Sequence, residues 1–164
     1  MQALYTEQDL QTIKDQLKKR RYVLYAVCAV FAAVIAVSFI LRDDRNHISY
    51  EWLTVLAAIL LSFSVIFIAE FLCRPLRCYA RHIDTALHGR SHETAFEFRC
   101  IENDESLVDG VRFRDMTFLG EADKHGIRER RFYWDAEKPL PDFAEGENIT
   151  LTYYDKAITG YARD

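Results

Sequence analysis

The sequence predicts an α+β membrane protein in which a transmembrane helical hairpin with two spans carries a small all-β domain. Two apolar runs, residues 22–41 and 52–73, each have about the 20 residues that an α-helix needs to cross a bilayer. All six Gly and all three Pro lie at or after Pro75, which indicates a change from long helices to short elements with turns. We therefore divide the chain into a helical part, residues 1–89, and a β domain, residues 90–164.

The N-terminal residues predict an amphipathic helix that continues into the first span. Thr6 can cap this helix with its hydroxyl, and Asp9 suits the positive end of the helix dipole. Leu10, Ile13 and Leu17 then recur at helical spacing. A signal peptide is the alternative interpretation of the first apolar run. That run is too long for a signal peptide, and no A-x-A-type cleavage site follows it.

The second span is predicted to continue as a helix to Gly89, a residue typical of helix C-caps. Pro75 lacks a backbone donor and should kink the helix where it leaves the membrane. Residues 74–88 carry an apolar stripe that should pack against the stripe of the first helix as a short cytoplasmic stalk. Alternatively, each stripe lies on the membrane surface or on the β domain. The stripe consists of Leu76, Tyr79, Ile83 and Leu87.

Charges and aromatic residues around the spans predict their orientation. Five Lys/Arg lie within residues 14–21 and three within residues 74–81, whereas the loop at residues 42–51 holds two Arg offset by three acids. The positive-inside rule therefore puts both termini in the cytoplasm, with the chain in a plasma or inner membrane. Aromatic rings prefer the membrane interface, and the candidate anchors are Tyr22, Tyr25, Tyr50 and Trp52.

The composition also limits the possible partners. Residues 89–164 hold eleven Lys/Arg against seventeen Asp/Glu, and an acidic surface repels phosphates, so we expect no nucleic-acid binding. Small residues recur every fourth position in the spans, as at Thr54, Ala58 and Ser62, and let helices approach closely. Besides the lipid bilayer, this pattern fits packing between the two spans, a homo-oligomer or a partner membrane protein.

Five short strands are predicted in the β domain, and they suggest a small barrel or sandwich of OB-like or SH3-like character. Asp155-Lys156 is short enough for a tight hairpin turn between the last two. Clusters of polar residues, Gly and Pro, such as residues 103–105, separate the others. The predicted strands are Thr94–Glu102, Val108–Leu119, Ile127–Asp135, Asn148–Tyr154 and Ala157–Tyr161.

One ionisable residue lies inside a predicted span. Glu70 is one turn from the end of the second span, and Arg74 follows four residues later on the same helix face. This spacing favours a structural ion pair. The alternative is an ion or proton role, because ionisable groups in membranes are often functional.

A basic and aromatic run in the third predicted strand is the candidate ligand-binding surface. Arginine beside aromatic rings can bind an anion or a flat ligand. Alternatively, the arginines pair with acids across the sheet and the rings are buried. The candidate residues are Arg128, Arg130, Arg131, Tyr133 and Trp134.

Other chemistry has little support in the sequence. His82, Asp84, His88 and His92 cluster near the end of the stalk, but their spacing does not guarantee a metal site. The usual sequence motifs of serine hydrolases, zinc proteases and nucleotide-binding enzymes do not occur. We therefore expect no metal, no cofactor and no enzymatic activity.

Three functional hypotheses remain. The first is a non-enzymatic adaptor or accessory subunit of a membrane assembly that presents the β domain in the cytoplasm. The second is a sensor whose β domain binds a small anion or peptide and relays its occupancy through the stalk. The third is a membrane enzyme or transporter subunit that depends on Glu70.

The topology can be tested by thiol labelling of intact cells with a maleimide that does not cross membranes. In a background without Cys28, Cys73 and Cys78, native Cys100 should react only after the cells are permeabilised. In the same background with Cys100 also replaced, the Ser49→Cys variant should react without permeabilisation. Labelling of Cys100 in intact cells would contradict the predicted orientation.

Overall fold

The computed structural model describes residues 2–40, 47–122 and 126–163. It contains two compact units. One is formed by Met1–Ile13 together with Cys78–Asp164, and the other by Lys14–Arg77. The chain combines long apolar helices with a mixed β-sheet, so the predicted α+β class is confirmed.

Within the described residues, the helical part contains three α-helices: α1 (Glu7–Ile40), α2 (His47–Phe67) and α3 (Arg74–His88). Two helical segments, Glu7–Ile40 and Trp52–His88, are long and apolar enough to cross a membrane. Only 6% and 11% of their most apolar stretches are buried, so most of these side chains face outward. The first residues of the predicted loop, residues 42–46, lie outside the described residues, and α2 begins within that loop.

A π-helical segment, Ile68–Cys73, joins α2 to α3 immediately before Pro75. The Arg74 N–H donates to the Ala69 carbonyl, which is one residue further back than in an α-helix. Arg20 donates to the carbonyl of Leu72 at 2.6 Å. The predicted disturbance near Pro75 therefore takes the form of a wide helical turn stabilised by a side chain of α1.

Among the residues that the structure describes, the sheet has six strands: β1 (Gln2–Ala3), β2 (His92–Val108), β3 (Val111–Leu119), β4 (Glu129–Asp135), β5 (Asn148–Tyr154) and β6 (Ala157–Arg163). Their order is β1-β6-β4-β3-β2-β5, and β6 also pairs with β5. All pairs are antiparallel except β4 with β6. The pairing thus returns from β5 to β6 and links five strands in a ring.

Three details of the sheet differ from the sequence prediction. The predicted strand Val108–Leu119 contains the turn at Asp109 and Gly110, so Val108 ends β2 and Val111 begins β3. Residues 103–105, predicted to separate two strands, lie within β2, where the register against β3 shifts between Ile101 and Glu105. A β-bulge can hold extra polar residues without ending a strand, which explains the error. The short strand β1 was not predicted, because two residues carry no periodic signal.

The domain core lies between the strands and is mainly aromatic. Ten buried residues form it, and Leu4, Ile101, Tyr153 and Tyr161 pack against it. Phe118 and Met116 are fully enclosed. The ten are Phe96, Phe98, Met116, Phe118, Phe132, Trp134, Phe143, Ile149, Leu151 and Ile158.

A second apolar cluster joins the start of α1 to α3. Tyr5, Leu10, Ala80 and Ile83 are its buried members, and Leu4 packs against both this cluster and the domain core. Ile13, Tyr79 and Leu87 from the two predicted stripes also pack against it. These helix ends therefore belong to the same compact unit as the sheet.

The turn between β2 and β3 lies against α3. Asp109 and Gly110 both have positive φ, at 51° and 79°. A Cβ added at Gly110 would lie 3.0 Å from the Cys78 sulfur. The turn therefore needs glycine both for its backbone conformation and for its close approach to the helix.

Candidate functional site

Asp135 is a fully buried acid at the end of β4. Its Oδ1 accepts a hydrogen bond of 2.9 Å from the Glu137 N–H, and its own carbonyl accepts one from the Lys138 N–H at 3.1 Å. An acid that bonds the backbone two residues later is typical of a turn. Its burial is unusual, because Asp is almost never fully buried unless it has partners.

Two tyrosines supply those partners. Tyr79 on α3 donates its hydroxyl to Asp135 Oδ2 at 2.6 Å. Tyr5, which lies between β1 and α1, donates to the same oxygen at 3.0 Å. One carboxyl group therefore links the segment before α1, the helix α3 and the sheet.

His82 extends this network by one residue. Its Nε2 lies 3.0 Å from the Tyr5 hydroxyl oxygen. Because Tyr5 donates its single hydroxyl proton to Asp135, the tyrosine oxygen accepts from His82, and we assign the proton of the ring to Nε2 on this basis. Tyr5 and Phe113 both make edge-on contacts with the imidazole, with ring centroids 5.5 and 5.1 Å away. We call Tyr5, Tyr79, His82 and Asp135 the Asp135 junction.

Burial and the charge of Asp135 determine the electrostatics of the junction. Burial raises the pKa of Tyr5 far above its ordinary value, and the negative charge of Asp135 adds to the effect. The pKa of Tyr79 is raised by burial and by its hydrogen bond to Asp135. Burial lowers the pKa of His82, against an opposing effect of Asp135. Both tyrosines therefore remain protonated donors, and His82 is neutral at pH 7.

A charged pair flanks the junction. Lys138 Nζ lies 3.0 Å from Asp9 Oδ2 and 5.4 Å from the centre of the Tyr5 ring. The hydrogen bond from Lys138 lowers the pKa of Asp9, and burial opposes this shift. Asp9 and Thr6 also exchange reciprocal bonds of 3.1 and 3.2 Å at the start of α1. Thr6 thus caps the helix, as predicted, and Asp9 at the third helical position ties it to the turn after β4.

The predicted ligand-binding residues do not form one surface. Arg128 donates to the Gly120 carbonyl at 3.3 Å. Arg130 and Arg131 line an open groove at the start of β4. Tyr133 is half-buried, with its ring 5.8 Å from that of Phe113. Trp134 lies in the core with 2% of its surface exposed.

The residues predicted to act in or near the membrane are placed as follows. Arg74 donates to Glu70 at 2.8 Å, the ion pair that their spacing favours. Tyr22, Tyr25 and Trp52 expose 60%, 62% and 71% of their surfaces, as interface anchors would. The side chain of Tyr50, the remaining predicted anchor, lies outside the described residues.

The histidine cluster is dispersed in the structure. His82 belongs to the junction, while His88 lies 3.2 Å from Glu7 and 3.6 Å from Asp84. His92 packs against Tyr153, with ring centroids 5.7 Å apart. Within residues 2–40, 47–122 and 126–163, no three His, Cys, Asp or Glu side chains are grouped to hold a metal ion.

Sequence reasoning missed Tyr5 and Asp135 as partners. Asp135 ends a predicted strand, where an acid usually indicates a solvated turn. Tyr5 precedes the first helix and follows no period. Tyr79 was recognised only as an apolar stripe residue, and no local pattern links it to a residue 56 positions later.

Comparison with protein-family models, characterised proteins and solved structures finds no match to this chain. The Asp135 junction can position groups and hold them rigidly, because its donors and acceptors are matched.

The junction should contribute strongly to stability. Asp135→Ala leaves the Tyr5 and Tyr79 hydroxyls without their acceptor and should lower the free energy of unfolding by about 2–4 kcal/mol. Unfolding of the full chain by urea in mild detergent, followed by Trp134 fluorescence in a Trp52→Phe background, measures this. The exposed control Asp142→Ala should change it by less than about 0.5 kcal/mol. Equal effects of the two changes would contradict the assigned role.

Stability should also fall in mild acid because of His82. Its pKa in the folded state lies below the unfolded value of about 6.5, so the unfolded chain binds more protons as the pH falls. The contribution of neutral His82 to the free energy of unfolding is complete above about pH 6.5. It is lost as the pH falls from there towards the pKa of His82 in the folded state. In the same urea assay at pH 5 to 8, His82→Gln should reduce this loss, whereas the exposed control His88→Gln should retain it. An unchanged pH profile in His82→Gln would rule this out.

Proposed function

We propose that the chain is a non-enzymatic integral membrane protein whose two long helices hold a small β domain at the cytoplasmic face. There it serves as an adaptor or as an accessory subunit of a membrane assembly. The observation that carries this proposal is the Asp135 junction. The junction binds two segments to one residue of the sheet. One is the segment that leads into α1, and the other is the helix α3, which follows the second apolar segment.

The apolar surface of the helices supports membrane insertion. Val30 and Phe39 in α1 each expose 62% of their surface, and Phe63 in α2 exposes 68%. Contiguous apolar surface of this kind requires lipid or another protein to cover it. The Lys and Arg residues near both segments favour a cytoplasmic location for the β domain.

The strand pairing supports a barrel of the OB type. The ring runs β2-β3-β4-β6-β5 and returns to β2, with β4 and β6 parallel. OB-folds are five-stranded Greek-key barrels that are partly open. Within the described residues, β4 and β6 pair at one position, Tyr133 with Ala157, which fits a barrel that is only partly closed between these strands. Such barrels host unrelated functions, so this topology supports a display domain but no particular ligand.

The sensor hypothesis remains the second candidate, and the connectivity of the junction favours it. Hydrogen bonds run from Tyr79 through Asp135 and Tyr5 to His82, so they join α3, the sheet and the N-terminal segment in series. A shift of Asp135 in the sheet would change the hydrogen bonds that it accepts from α3 and from the N-terminal segment. The contact between Glu70 and Arg74 supports an ion pair and gives no separate support to the transporter hypothesis.

The adaptor proposal can be tested by isolating the protein from its native membrane in mild detergent. The full chain should migrate as an assembly larger than a detergent-bound monomer, with a reproducible partner identified by mass spectrometry. The double variant Tyr5→Phe, Tyr79→Phe should retain membrane association but lose most of that partner, because the β domain is no longer fixed. Asp142→Ala is the matched control.

A native protein that remains monomeric and brings no partner would overturn the adaptor proposal. Retention of the partner by the double variant would show that the junction does not carry this function.

A further inference from the structure

The β domain contains an open groove with a volume of about 670 Å³. It lies beside the first residues of β4, from Arg130 to Phe132, and the turn Asp155-Lys156 between β5 and β6. Small-molecule sites in proteins commonly have volumes of about 300–1,000 Å³. All its lining residues belong to the unit that contains the sheet.

Three packed rings form the floor of the groove. The centroid of the Phe132 ring lies 5.0 Å from that of Phe96 and 4.9 Å from that of Tyr153. A Cβ at position 120 would come within 2.9 Å of the Phe96 ring, so Gly120 makes room for this arrangement. The two phenylalanines are at most 9% exposed, whereas Tyr153 is half-buried and accessible from the groove. The floor is therefore preformed and apolar.

Three cations surround this floor: Arg130, Arg131 and Lys156. Arg131 lies 3.8 Å from Glu102, at the limit of an ion pair. In the described part of the chain, Arg130 and Lys156 form no ion pair.

Most other cations of the domain have an acidic partner. The pairs are Arg99 with Glu129, Arg112 with Glu137, Arg114 with Glu105, Lys138 with Asp9 and Arg163 with Glu147. On a domain with an excess of acids, carboxylate partners are plentiful. Arg130 and Lys156 nevertheless form no ion pair within the described residues, so they are available to an external anion.

Two acids, Glu121 and Asp155, also line the groove. Carboxylates accept hydrogen bonds from hydroxyl groups, and they repel a bare polyanion. A ligand that suits both kinds of group carries a compact double negative charge and uncharged hydroxyls. Arginine binds phosphate oxygens through paired N–H groups, and lysine adds a point charge.

We propose that this groove binds the phosphomonoester of a small hydroxylated molecule. Arg130 and Lys156 hold the phosphate, and the carboxylates of Glu121 and Asp155 accept from ligand hydroxyls. The apolar side of the ligand lies against Tyr153. A soluble sugar phosphate and a phosphorylated lipid headgroup share this chemistry. The site does not depend on a protein partner, so failure of the adaptor proposal would not affect this one.

Isothermal titration calorimetry on the full chain in mild detergent tests this proposal. Glucose 6-phosphate represents the soluble source, and inositol 4-phosphate, which carries a single phosphomonoester, represents the lipid headgroup. At least one should bind with saturation at a stoichiometry of one, and the tighter of the two identifies the source. Glucose and inositol, which lack phosphate, should bind at least about tenfold more weakly.

Substitutions of single cations test whether the phosphate ester binds in the groove. Arg130→Gln and Lys156→Gln should each weaken the phosphate ester by about tenfold or more, because each removes a charge-assisted hydrogen bond. Arg112→Gln removes a cation of the same sheet that is paired with Glu137, and it should leave the affinity unchanged. Lys156 lies on an exposed turn, so its replacement leaves the core intact.

Two results would overturn the proposal. One is the absence of saturable binding by either phosphate ester to the native chain. The other is an affinity that falls equally in Arg112→Gln, or that does not fall in Arg130→Gln and Lys156→Gln.

Discussion

The structure of the β domain and of the attached helix ends depends on a buried carboxyl group. Removing Asp135 from water is costly unless hydrogen-bond donors replace its hydration. Here three donors do so, from Tyr5, Tyr79 and the backbone of Glu137, and each comes from a different part of the chain. The turn after β4, the N-terminal segment and α3 are thereby held in one arrangement, because moving any of them leaves a buried polar group unpaired.

Apolar packing and this polar network act on the same elements. The cluster around Leu10 and Ile83 is non-directional and would tolerate some sliding of one helix along the other. Hydrogen bonds of 2.6–3.0 Å from the two tyrosines do not tolerate it. The close approach of Gly110 to Cys78 adds a steric limit on the position of α3. The apolar cluster therefore drives the association of the start of α1 with α3. The polar and steric contacts fix the register in which these elements pack.

The sequence predicted features that depend on local periodicity and missed those that depend on distant contacts. Long apolar runs and the 3.6-residue spacing of Leu10, Ile13, Tyr79, Ile83 and Leu87 were enough to identify the helices and the side chains that cluster. The strand-like run before Asp135 was also identified, but the burial of that residue depends on tyrosines 56 and 130 positions away. The groove could not be predicted for the same reason. It brings Arg130 and Lys156 together, and no sequence motif connects these two residues.

The position of β6 has a consequence for the order of folding. This strand pairs with β1, β4 and β5, and its partners include Gln2 and Ala3 near the start of the chain. The N-terminal strand thus has no pairing partner until residues 157–163 have left the ribosome. Long-range pairings of this kind form late, because the loop that they close costs entropy before any contact is gained. The apolar helices α1 and α2 lie between these paired strands in the sequence, so both are synthesised before β1 can pair with β6 and complete the domain.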